Sequence, residues 1–318
     1  MEDELAPILL IGFNRPIHFK KTLKALCKNE DAKKSILYIS IDGPRNANDL
    51  KLQEIIYDNI KLADGNFAKI NIIKNNTNLG LAKNLIGSIT EVLNNHQKII
   101  VLEDDIVTSR AFIKFMNNAL SYYENKKKIW QINGYSPINN QGKKDKIYFS
   151  RLIHCWGWAT WSDRWEKFKK NPKNLLKEFD KKMIYKFNLE GELNFWDQII
   201  QNKIGQMDSW AIFWYARVFN KKGLCVYPWF TYVINIGLDG TGTHCNKLNS
   251  ETKTDTLNDY GNFIKKDNFI EDKKALKLLQ KTNNRTFIKS VFIKFFNNLL
   301  GYNFSYKIKS FLRRNKFL

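Results

Sequence analysis

The feature that most constrains the fold is a fourfold alternation of apolar runs and helical stretches that ends on three adjacent carboxylates. Pro7–Phe13 (PILLIGF) is continuously apolar, the pattern of a strand buried on both faces. Pro16 then opens a helix through Leu26, as proline does at a first helical position. Ile36–Ile41 forms a second strand ending at Asp42-Gly43-Pro44, and a helix follows around Leu50–Leu62. Ala68–Ile73 is a third strand and Leu81–Leu93 has helical spacing. Lys98–Leu102 is a fourth strand that runs directly into Glu103-Asp104-Asp105. Strand and helix in alternation predict an α/β fold, a mostly parallel sheet with helices on both faces.

Past Ala111 the pattern is less regular. A helix is predicted over Ala111–Tyr123 and a strand over Ile129–Asn133. A loop and the aromatic cluster His154–Trp161 come next, then a helix from Asp208 to Lys222 closed by Gly223. Short strands at Leu224–Pro228 and Thr231–Ile234 lead to the glycine-rich stretch Ile236–His244. Residues 1–245 thus make the folded domain, with a division near 133/134, and 246–318 make a helical, basic appendage.

The chain of 318 residues carries 52 Lys+Arg against 31 Asp+Glu, a net charge of +21. Such an excess suits a polyanionic partner: a nucleic acid, an anionic bilayer or a phosphorylated ligand. Four cysteines, at 27, 155, 225 and 245, form no CxxC pair and read as reduced thiols of a cytosolic protein. The acidic opening is unlike a signal peptide and no run is long enough to span a bilayer, so the chain is expected to stay where it is made.

Three adjacent carboxylates repel one another. At the carboxyl end of a buried strand they sit where open α/β sheets bind ligands, and a divalent cation bridging to a diphosphate would relieve the repulsion. A solvated acidic loop, or the cap of the next helix, is the alternative. Asp42-Gly43-Pro44 is by itself a turn signal. Asp208 before an apolar helix is equally a cap, Lys83 suits a solvated helix face, and most of the tryptophans could be core.

Seven segments in order carry a resemblance: PILLIGFNRP, SIDGP, NLGLAKN, VLEDDIVTSRAFIKF, CWGWATW, DSWAIFWYARVF and NIGLDGTGTHC, spread over residues 7–245. Together they resemble GT-A fold nucleotide-sugar glycosyltransferases, of the inverting N-acetylglucosaminyltransferase I type and its bacterial relatives in surface-polysaccharide synthesis. The resemblance implies metal-dependent, inverting transfer of a hexose or N-acetylhexosamine from a UDP-sugar to a lipid-linked or growing surface glycan. It implies Asp105 as the ligand of Mn²⁺ or Mg²⁺, with Glu103 and Asp104 at the donor. Asn14, Arg15 and Asp42 line the nucleotide, Lys83 and His244 approach the diphosphate, and Trp156, Trp158 and Trp161 stack on the acceptor. Asp208 is the implied base, with Asp197 second. Phe213 departs from the pattern, which has Arg in close bacterial relatives. A nucleic-acid-binding protein and a catalytically silent glycan-binding module of the same fold are the competing classes; the first lacks any recognisable module.

The tail Thr286–Leu318 holds seven Lys/Arg and no acid, interleaved with Phe and Leu. This basic amphipathic pattern predicts peripheral attachment to the inner face of the plasma membrane, with a terminal helix packed on the domain as the alternative.

Overall fold

The computed structural model describes residues 4–139, 143–239 and 257–283. In chain order the elements begin β1 (Ile8–Gly12), α1 (Pro16–Cys27), β2 (Ile36–Ile41), α2 (Ala47–Ile60), β3 (Lys69–Lys74), α3 (Leu81–Leu93) and β4 (Lys98–Glu103). Next come β5 (Ile106–Thr108), α4 (Phe112–Tyr123), β6 (Ile129–Asn133), β7 (Ile147–Ser150), β8 (Trp158–Trp161) and α5 (Ser162–Trp165). The chain continues through α6 (Pro172–Glu178), α7 (Lys181–Phe187), α8 (Phe195–Lys203), α9 (Ala211–Asn220), β9 (Leu224–Pro228), β10 (Val233–Asn235) and α10 (Lys273–Asn283).

Eight strands form one sheet in the order β3-β2-β1-β4-β8-β6-β9-β7. The first four are parallel, β8 runs antiparallel between β4 and β6, and β6 pairs in parallel with β9. This is the mostly parallel, helix-flanked sheet that the alternation and the GT-A resemblance lead one to expect. All of β1 is buried because it lies mid-sheet between β2 and β4, which explains its unbroken apolar run. Successive side chains serve opposite faces. Ile8 and Leu10 join α1, α2 and α4 in one core, while Leu9 and Ile11 join α3, α9 and most of the tryptophans in the other.

The helix predicted from Asp208 starts instead at Ala211. Its cap position is Trp210, and Asp208 lies outside the helix, so it does not cap it. The aromatic cluster at 158–161 is a strand, β8, inserted into the sheet, which the sequence pattern does not reveal.

Residues 257–283, expected as part of an appendage, lie against the domain. The backbone N–H of Asn258 donates to the Thr231 carbonyl at 2.8 Å, that of Ile264 to Asp145 at 2.6 Å and that of Asp272 to Phe149 at 2.9 Å. Phe263 and Phe269 pack on the first core, and Ala275 and Leu279 of α10 are buried in the second. Arg151 fastens this segment. It donates from Nη1 to Glu271 at 2.9 Å and from Nη2 to both oxygens of Glu190 at 2.7 Å. Glu190 and its neighbour Leu189 hold left-handed backbone conformations at φ 57° and 51°, which side chains other than glycine rarely adopt. Among the described residues no helix is long and apolar enough to cross a membrane.

Arg151→Met should therefore destabilise the protein by about 2 kcal/mol, because two partly buried carboxylates lose their shared counter-charge. Urea unfolding measures it, and an unchanged midpoint would show that the clamp contributes nothing.

Candidate active site

Strand order assembles the site. Because β1 pairs in register with both β2 and β4, with Gly12 opposite Ile41 and Ile11 opposite Glu103, the segments 13–15, 42–43 and 103–105 leave the sheet along one edge. The Arg15 guanidinium sits between two of the carboxylates. Nη2 ion-pairs with Asp104 Oδ1 and lies 2.9 Å from Asp105 Oδ2, while Nε donates to Asp104 Oδ2 at 3.3 Å. Thr22 of α1 donates to the Asp104 carbonyl at 2.8 Å, a second tie between α1 and the triplet. Arg15 Nη1 is buried with no protein acceptor. A buried donor of this kind beside a strand edge suits an anionic oxygen.

Ile236 and Gly237 of the glycine-rich stretch lie against Asp105. β5 follows the triplet directly and pairs antiparallel with β10, setting Asn235 opposite Ile106. The Ile236 N–H donates to the Asp105 carbonyl at 2.9 Å. Gly237 must be glycine here, since a Cβ would lie 2.1 Å from Asp105 Oδ2. Asp239 Oδ2 lies 3.1 Å from His18 Nε2 on α1. His18, to which the sequence gives no role, thus joins the site; its spacing of three from Arg15 was the available signal. His244 lies outside the described residues.

Electrostatics follow from burial. Glu103 is pushed up to about 8, chiefly by burial and then by repulsion from Asp105 and Asp104. Asp104 is raised to about 6 by burial, against which Arg15 pulls it down.

Around this centre the sequence-predicted residues divide. Asp42 lies on the edge, but its carboxylate is engaged by the protein. It accepts from the Gly43 and Leu79 N–H groups on Oδ1 at 2.9 Å, and on Oδ2 from the Gly80 N–H at 2.9 Å and Asn78 Nδ2 at 3.1 Å. Gly43 lets the 77–80 loop close on it, because a Cβ would sit 2.2 Å from the Thr77 carbonyl carbon. Asp42 therefore shapes the pocket wall, with its acceptor capacity already used. Asn14 donates to Asp49 at 2.7 Å, and Arg45, which also binds Asp49, lies 4.7 Å over the Phe13 ring. Arg45 and Asp49 belong to no motif of the sequence; α2 begins at Ala47, ahead of the predicted start, and their spacing of four is the available signal. Lys83 is exposed in the first turn of α3.

Two of the three tryptophans assigned to the acceptor are core. Trp158 and Trp161 are each 1% exposed. Trp158 stacks on Trp210 at 5.4 Å, and Trp161 Nε1 donates to the Leu120 carbonyl. A ring with no free face cannot stack on a sugar. Trp156 is partly exposed and lies at the carboxyl edge of β4, because β8 pairs antiparallel with β4 and sets Trp158 opposite Val101. The neighbouring Cys155 thiol is pushed up by burial and then by the charge of Glu103. Tyr135 and His154 lie against Trp156 with ring centres 4.5 and 4.8 Å away, an aromatic group of which only Trp156 was anticipated.

Asp208 is exposed and ion-paired with Lys170. The stacking of Trp210 on Trp158 ties its loop to β8. Asp197, in the first turn of α8, accepts from Gln201 at 2.6 Å. Among the described residues no three carboxylate, imidazole or thiol groups converge as on a resident cation. Asp105 is nevertheless a hard oxygen donor at the edge, and Mg²⁺-like ions are commonly held by one or two carboxylates plus substrate phosphates. The residues fit a cation that arrives with a diphosphate.

No family profile matches the chain, and no curated protein matches it by sequence. Among solved structures it is similar to the mannosyltransferase PcManGT from Pyrobaculum calidifontis in complex with GDP-Man and Mn²⁺, with TM-score 0.40, 8% identity, and 69% of this chain and 70% of that one covered. It is similar to S. aureus TarS 1–349, with TM-score 0.40, 11% identity, 73% of this chain covered and only 61% of that one. It is also similar to the galactosyltransferase LgtC in complex with donor and acceptor sugar analogs, with TM-score 0.34, 11% identity, and 67% and 70% covered. At these values the likeness concerns architecture alone.

A carboxyl group whose folded pKa is raised costs stability as pH climbs from its unfolded value towards the folded one. Between about pH 4.5 and 8 the melting temperature should fall through Glu103, and Glu103→Gln should flatten that decline. An identical slope in the variant would place the titration elsewhere.

Proposed function

We propose that the chain is a metal-dependent inverting glycosyltransferase that moves a hexose or N-acetylhexosamine from a nucleotide-diphosphate sugar, a UDP-sugar, to a lipid-linked or growing surface glycan. The observation that carries this reading is the convergence of Arg15, Asp104, Asp105 and Gly237 at the carboxyl edge of the parallel strands. A guanidinium with an unsatisfied buried N–H beside carboxylates, with the side-chain-free Gly237 packed against Asp105, is a suitable seat for a diphosphate. Asp105 would hold Mn²⁺ or Mg²⁺ against it. When bound, that ion offsets charge on the departing diphosphate.

The remaining roles fall to the protein. Phe13, Asn14 and Arg45 border the nucleoside end, Lys83 the phosphate side and Trp156 the acceptor. An acceptor hydroxyl attacks the anomeric carbon as the bond to the diphosphate breaks, and its proton passes to a carboxylate. Asp208 takes this role, with Asp197 as second candidate. Localisation at the inner face of the membrane rests on the basic tail, which lies outside the described residues. Each basic residue near an anionic surface contributes roughly 1 kcal/mol.

Release of UDP from UDP-sugars, with and without Mn²⁺, tests the reading. Asp105→Ala should abolish turnover, and EDTA should do the same to the unaltered protein; full activity in either case contradicts the metal role. Asp208→Asn should lose about 10²–10⁴ in turnover with UDP affinity nearly unchanged. Loss in Asp197→Asn alone would transfer the role. Shortening the chain to end at Asn283 should abolish sedimentation with anionic liposomes; equal sedimentation would reject the tail as anchor.

A further inference from the structure

The segment from Lys167 to Lys186 holds eight lysines and two acids. Both acids are engaged. Asp180 caps α7, accepting from the Met183 N–H at 2.7 Å, and Glu178 accepts from Asn220 at 3.0 Å. Burial of Leu175, Phe179 and Phe187 in the second core turns the lysines outward. Lys173, Lys177, Lys181, Lys182 and Lys186 are exposed, and none has an ion-pair partner among the described residues. Two pairs, Lys173 with Lys177 and Lys182 with Lys186, stand four apart in short helices, where like charges destabilise. Among the described residues no carboxylate offsets that repulsion by pairing with these lysines.

The position of this patch gives it meaning. Lys170, at its head, ion-pairs with Asp208. The positive surface is thus continuous with the carboxylate assigned to the acceptor. Its one large exposed apolar side chain is Tyr185, 55% exposed, and a single aromatic ring is a poor anchor for a bilayer, where an apolar face must enter the interface.

We infer that α6 and α7 form an acceptor subsite for an anionic glycan, one carrying phosphate or carboxylate groups along its length. Successive anionic groups meet the lysine row, and competition for Lys170 frees Asp208 to receive the acceptor proton. The recognition of charge stands on the lysine row; its link to catalysis rests on the glycosyltransferase reading and on Asp208 as base.

The test uses the full chain and a charge-reversed variant, Lys173→Glu/Lys177→Glu/Lys181→Glu, whose residues lie outside the catalytic machinery. Binding to long-chain polyphosphate, polygalacturonate and neutral dextran is measured at low and high salt, beside UDP release from UDP-sugar and sedimentation with anionic vesicles. The unaltered protein should bind both polyanions but not dextran, more weakly at high salt. The variant should lose roughly tenfold or more in polyanion affinity while keeping UDP release and vesicle sedimentation. A Lys→Arg version at the same positions should bind as the original does. Unchanged polyanion binding in the variant overturns the inference, and so does a loss confined to vesicles, which would make the patch a membrane surface. Absence of UDP release in the unaltered protein would instead count against the enzymatic reading, leaving the polyanion result to decide the patch.

Discussion

The bond of Arg15 to Asp104 and Asp105 holds together two segments that leave the sheet at the ends of β1 and β4. Three consecutive carboxylates at a buried strand end are unfavourable unless a cation is at hand, and the protein supplies one from the residue before Pro16. Arg15 stands at the start of α1, which Pro16 opens, and Thr22 of the same helix reaches the Asp104 carbonyl. The pairing also leaves one guanidinium nitrogen facing a place where the protein offers no acceptor.

Around this bond the fold contributes rigid walls rather than chemistry. Asp42 spends its carboxylate on the 78–80 loop. The β5–β10 ribbon brings Gly237 against Asp105. Beside β4 the antiparallel β8 starts at the site edge and runs away from it, so Trp156, just before the strand, lies at that edge while Trp158 and Trp161 fill the two cores. Alternation along the strand sends Trp158 and Trp161 into opposite cores, and Trp156, ahead of the strand, is left for the candidate acceptor side.

The first half of the fold was legible in the sequence because parallel strands buried on both faces advertise themselves as apolar runs. β1, β2, α3 and β4 lie where the pattern puts them, and the triplet ends β4 as expected. β8 was hidden because its four residues are aromatic and small, with no alternation to betray a strand. Residues 257–272 form neither helix nor strand, so their attachment through Asn258, Phe263 and Glu271 has no periodic signature. At the site the carboxylate triplet was legible as charge at the end of β4, while its pairing with Arg15 was not. Partner identity was not legible, since three of Asp42's four donors and Asp208's pairing with Lys170 are made across the chain and depend on loops.

The central claim is that the Arg15–Asp104–Asp105 cluster receives a nucleotide diphosphate. A crystal structure grown with UDP and Mn²⁺ tests it most directly. The diphosphate should lie beneath Gly237 with Asp105 on the metal and Arg15 Nη1 bonded to a phosphate oxygen. Nucleotide bound elsewhere on the chain, with the Arg15 cluster undisturbed, would contradict the claim.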